Sequence, residues 1–190
     1  IDGLVEYKLL FKNNENRDIN HFTLLDTLPS IDDLGITDSV FRGSEFGLVL
    51  NSKVVVSDKF DVYYSKSANP KRDDLNDQML ADGFDPIINP VNAEDPNWLL
   101  ESEVDNFNEI KSFMIKLKEN EVLANNEIAE IDFTAVVDEK DYAIVEAIGY
   151  GAVAWNSFAL TIDNKPVVEP LQVKVTYDLD LEYTDFTAYK

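Results

Sequence analysis

Alternation of apolar and polar residues runs through most of the chain and predicts strands. Leu4–Asn13 sets Val5, Tyr7, Leu9 and Phe11 against Glu6, Lys8, Leu10 and Lys12. Ile19–Leu28 places Phe22, Leu24, Asp26 and Leu28 on one face, and Pro29 ends the run because it donates no ladder bond. The stretches 40–50 and 53–66 read as two or three more strands. Phe107–Lys118 alternates in its second half, and Glu127–Val137 alternates through Ile131, Phe133 and Ala135. Ala152–Ile162 carries Ala154, Asn156, Phe158, Leu160 and Ile162 on its more apolar face. Leu171–Tyr183 alternates without a break.

Two stretches differ. Asp138–Ile148 has an acidic start, good helix formers and Gly149 after it, which predicts a short helix. Residues 68–97 are polar, hold four prolines and lack a period, as expected of an insertion with short elements or a mobile loop. Trp98 follows and is expected to anchor the return to the core. Many strands with few helices predict a mostly β fold: one antiparallel β-sandwich over residues 1–190, with one short helix and a long inserted loop.

Composition narrows the partners. Acidic residues number 37 against 16 basic, a formal charge of −21. Such a field repels phosphate backbones and anionic lipid, so neither nucleic acid nor membrane insertion is expected. The chain has no cysteine, which removes disulfides, thiolate metal sites and a thiol nucleophile. His21 is the single histidine, so a zinc site or a Ser–His–Asp relay has little to build on. Oxygen-rich clusters make calcium the cofactor to consider: Asp32, Asp33 and Asp38 around Gly35, and Asp73, Asp74, Asn76 and Asp77 in the insertion. Neither has the EF-hand spacing, and a solvated acidic loop is the alternative for both. Arg42 is a candidate partner for the Asp32–Asp33 turn.

Several motifs follow one another in the order found in domains of large Gram-positive cell-surface proteins. Tyr7–Asn13 (YKLLFKN) resembles their first strand, Tyr-x-Ile-x-Val-x-Asn, and Leu25–Pro29 (LDTLP) resembles their Asp-x-Leu-Pro strand end. Phe41–Phe46 (FRGSEF), Asp61–Ser65 (DVYYS), Trp98 and Ala154–Ala159 (AWNSFA) resemble later landmarks of the same adhesin or fimbrial-type sandwich. The resemblance implies a non-catalytic stalk or repeat module of a longer multidomain protein, extracellular and attached to the cell wall. Its partners would be neighbouring domains of that protein. The other implied role is an adhesin head that binds a host or neighbouring-cell protein or glycan through residues 68–97.

Some relatives crosslink a lysine to an asparagine with help from a carboxyl group. The candidates here are Lys8, Asp26 and Asn156. The chemistry needs a neutral lysine and a protonated acid, both favoured by burial. Asp26 and Asn156 lie on the apolar faces of their strands. Lys8 lies on the polar face of its own, opposite Tyr7 and Leu9. The alternative is that Asp26 and Asn156 are a buried polar pair satisfied by each other and by backbone.

Overall fold

The computed structural model describes residues 3–77, 85–163, 165–177 and 186–189. Its strands form two sheets packed face to face, the sandwich expected from the alternation. The smaller sheet has the order β10-β1-β7-β3. Here β1 is Leu4–Lys12, β3 Leu48–Leu50, β7 Ile128–Val137 and β10 Phe186–Tyr189. The larger has the order β5-β4-β6-β2-β8-β9. It comprises β2 (Phe22–Thr27), β4 (Phe60–Ser65), β5 (Leu99–Leu100), β6 (Ser112–Leu117), β8 (Val153–Ile162) and β9 (Val173–Thr176). All the described pairings between strands are antiparallel except β1 with β10, which is parallel. The continuous run expected over Leu171–Tyr183 holds as a strand in β9, and residues 178–183 lie outside the described set.

Aromatic rings bridge the two sheets. Tyr7 on β1 stacks on Phe133 of β7 at 4.7 Å, and Phe133 meets Phe113 of β6 edge-on at 4.9 Å. A second chain runs Phe11–Phe22–Phe60, with centroids 5.1 and 5.5 Å apart. Such pairs add about 0.5–1.5 kcal/mol each beyond the area they bury.

The predicted helix divides in two. A 3-10 turn, Glu139–Asp141, leads into α2 (Tyr142–Ile148), which stops at Gly149 with φ 74°. The Asp141 carboxylate reaches back to accept from the Gly47 N–H at 2.6 Å, where a Cβ on residue 47 would stand 2.8 Å from that oxygen. The described part of the insertion has the short elements expected of it. It contains a one-turn helix, α1 (Asp73–Asn76), and packs onto the outer face of the larger sheet. Leu25, Met114 and Ala159 on that face meet Ile36 and Leu75, with Tyr63, Ile87, Trp98 and Val167 around them. Trp98 thus docks on this outer cluster, with Nε1 donating to Asp74 Oδ2 at 3.0 Å. Both faces of β2 are therefore buried along its whole length.

Local bonds order the described part of the insertion. The Asn76 amide clamps the Ile87 backbone in both directions, at 2.8 and 2.9 Å. Asn89 accepts from the Arg72 N–H at 2.6 Å and donates to Asp73 at 2.7 Å. Backbone bonds Lys71 N–H to Glu94 O and Glu94 N–H to Asn69 O, each 2.9 Å, close the base of the loop.

Candidate functional site

The strands β2 and β8 lie side by side in register, with Asp26 opposite Phe158. Asn156 sits two residues from Phe158 on the same face, so strand period alone brings the amide diagonally onto Asp26. Its Nδ2 donates to Asp26 Oδ2 at 3.3 Å, and both residues are fully buried. The Asn156 Oδ1 and the Tyr7 hydroxyl beside this seam have no hydrogen-bond partner among the described residues. Burial, and next the Asp26 charge, drive the Tyr7 hydroxyl far above the usual tyrosine range, against the opposing pull of Arg42.

Lys8 does not join this pair. Its strand turns Val5, Tyr7 and Leu9 inward, so the Lys8 ammonium emerges on the outer face and pairs with Glu130 and, at 3.4 Å, Asp132. Among the described residues no lysine is buried, so none there meets the desolvation that a neutral amine nucleophile requires. The three proposed members of a crosslink therefore resolve into a buried hydrogen-bonded pair and a surface lysine.

Next to the pair stands a second buried polar group, built by the FRGSEF segment. Gly43 has φ 81°, a left-handed conformation that glycine adopts freely, and Arg42 and Ser44 on either side of it are both buried. The Arg42 guanidinium donates to the carbonyls of Thr27 at 2.9 Å and Leu28 at 3.3 Å, and pairs with Asp33 at 3.0 Å. Asp33 also accepts from the Ser44 hydroxyl at 2.7 Å and the Ser30 N–H at 3.1 Å. Burial lowers the Arg42 pKa, and the charges of Asp33, Asp26 and Glu169 oppose it.

Glu169 is the residue the alternation did not single out. Its carboxylate collects the Ser157 hydroxyl, the Thr37 hydroxyl and N–H, both at 2.7 Å, and the Ile36 N–H at 3.1 Å. It ties β8 to the 31–42 loop. A lone acid in the apolar run Val167–Val168–Glu169–Pro170–Leu171 was the available signal. Arg72 was likewise missed. It is buried at the root of the insertion with its Nη1 donating to Pro70 O. Burial, then the nearby Arg42, bring its pKa down to about 10, against Glu169.

The two calcium sets do not assemble. Asp33 is committed to Arg42, and Asp38 accepts from the Val40 N–H at 2.9 Å, while Asp32 is exposed. In the insertion Asp73 holds Asn89, Asp74 holds Lys116 at 2.6 Å and Trp98, Asn76 holds Ile87, and Asp77 is exposed. Among the described residues no three acidic, histidine or cysteine side chains converge on a cation position. The carboxylates are taken up instead by nearby loop groups and, for Asp74, by Lys116 of β6.

Acid is expected to loosen this network. Burial alone would raise the Glu169 carboxyl, but the bonds from Ser157, Thr37 and Ile36 outweigh it and hold its pKa below the ordinary glutamate value. Asp163 and Asp138 are held low in the same way, by the Asn20 and His21 N–H groups with Arg17 and by Lys111 with the Lys140 N–H. A depressed folded value contributes stability above the unfolded pKa and loses it as pH falls through the folded one. Thermal midpoints should therefore decline from about pH 5 downward. Glu169→Gln should flatten part of that slope, and an identical slope in the variant would show that Glu169 does not carry it.

The cleft at one end of the sandwich, 390 Å³ between Lys66, Lys111 and Tyr142, holds compensated ion pairs, Lys66–Glu109 and Lys111–Asp138. No helix among the described residues is long and apolar enough to cross a membrane. No family model matches the chain, and no curated protein matches it.

Proposed function

We propose that the chain is a non-catalytic structural module, a stalk or repeat domain, of a bacterial cell-surface adhesin. The full-length protein would be exported and attached to the cell wall, with neighbouring domains as the module's partners. The observation that carries this reading is the junction of two motif stretches, LDTLP and AWNSFA. They form adjacent strands and meet through Asp26 and Asn156 in the core. A buried polar pair of this kind fixes strand register, since a one-residue slip of either strand would turn its own group outward and part the pair.

A second reading, an adhesin head, is favoured by one feature of the insertion. Ile88 and Val91 are 82% and 108% exposed although their loop is pinned on both flanks. A rigid loop presenting two aliphatic side chains suits recognition, because little ordering remains to be lost on binding. The test is a screen of the chain and of Ile88→Asp/Val91→Asp against glycans and host extracellular proteins. A stalk gives no specific binding in either. Binding that disappears in the double variant would overturn the stalk reading in favour of the head.

A further inference from the structure

The first and last described strands are neighbours and point the same way. Val5, Glu6, Tyr7 and Lys8 of β1 stand opposite Phe186, Thr187, Ala188 and Tyr189 of β10. On its other edge β1 pairs antiparallel with β7, from Leu4↔Val136 to Lys12↔Ile128. The two ladders therefore meet an external pull in different ways.

From this topology we infer that β1 and β10 form a shear clamp, which makes the module resist end-to-end tension while it opens readily at one end. Tension on the chain before β1 and after β10 drags the two strands in opposite directions along a shared axis. The evenly spaced bonds of a parallel ladder are then loaded together. Sliding is also blocked by packing. A one-residue slip of β1 would turn Val5, Tyr7 and Leu9 out of the core and bring Glu6 and Lys8 in, breaking the Tyr7–Phe133 stack. The β1–β7 ladder behaves differently, because the chain enters β1 and leaves β7 at the same end. Pulling there parts the Leu4↔Val136 pair first and then each pair in turn. The inference does not depend on the surface-protein reading, since any protein with this strand order would share the property.

Single-molecule pulling tests it on the full chain. The absence of cysteine lets introduced thiols serve as unique handles. Gly3→Cys is a benign site, with nothing within 4 Å of an added Cβ, and Lys140 is exposed just past β7. One pulling pair joins Gly3→Cys to a cysteine added after Lys190, and the other joins Gly3→Cys to Lys140→Cys. With thermal midpoints unchanged by the handles, the first pair should rupture at a force several-fold above the second. Equal forces would overturn the clamp. Proline at Thr187 and, separately, at Ala188 identifies the ladder, because adjacent residues of an edge strand donate to opposite sides. One of the two should lower the first force towards the second and the other should leave it unchanged. If neither lowers it, the resistance lies outside β1–β10 and the inference fails.

Discussion

Arg42→Ala is expected to lower stability by about 3–5 kcal/mol, the usual cost of removing one member of a buried ion pair. The loss has three sources. The Asp33 carboxylate keeps its burial and its bonds to Ser30 and Ser44 but loses its counter-charge. The Thr27 and Leu28 carbonyls lose their guanidinium donors at the end of β2. A cavity is left where the side chain was fully enclosed. Denaturant unfolding of the single variant measures the sum. Adding Asp33→Asn should recover part of it, because an amide there can still accept from Ser30 and Ser44 without a buried charge. No recovery in the double variant would mean that the damage is mainly the cavity and the lost backbone bonds.

Leu75→Ala should cost about 2–5 kcal/mol, as for other fully buried leucines. Its interest lies in where the loss appears. Leu75 belongs to the outer cluster that fastens the insertion to Leu25, Met114 and Ala159, separate from the main core between the sheets. Amide exchange should therefore quicken first in residues 69–77 and 87–98, while β1 and β7 keep their protection. Unaltered exchange in the insertion would mean that its own hydrogen bonds hold it without the sheet.

Period-2 alternation located the strands because each lies over a core that accepts every second side chain. The parity that put Asp26 and Asn156 inward, and Lys8 outward, followed from the same rule. Alternation fails where a second layer covers the sheet. In β2, Thr23, Leu25 and Thr27 point away from the main core yet are buried, Leu25 against Ile36 of the 31–42 loop and Leu75 of the insertion. The insertion has no legible period because Asn76, Asn89 and Arg72 organise it through side-chain-to-backbone bonds. The acidic clusters misled for a related reason. Asp33 takes the Arg42 partner that the sequence offered nearby, whereas Asp74 takes Lys116, a residue 42 positions away that only the fold brings to it.

The Ile88–Val91 tip and the base of its loop differ in what they tolerate. The tip makes few demands on the fold, whereas Leu75, Ile87 and Trp98 at the base are held by the sheet. The sheet is bound in turn. Leu25, Met114 and Ala159 can be apolar on an outer face because the insertion, with Ile36 and Val167, shields them from water. The loop and these three positions are thus one unit of design: a chain shorn of the insertion would need polar residues on its outer sheet face, whereas residues 88 and 91 can change at little cost to the fold.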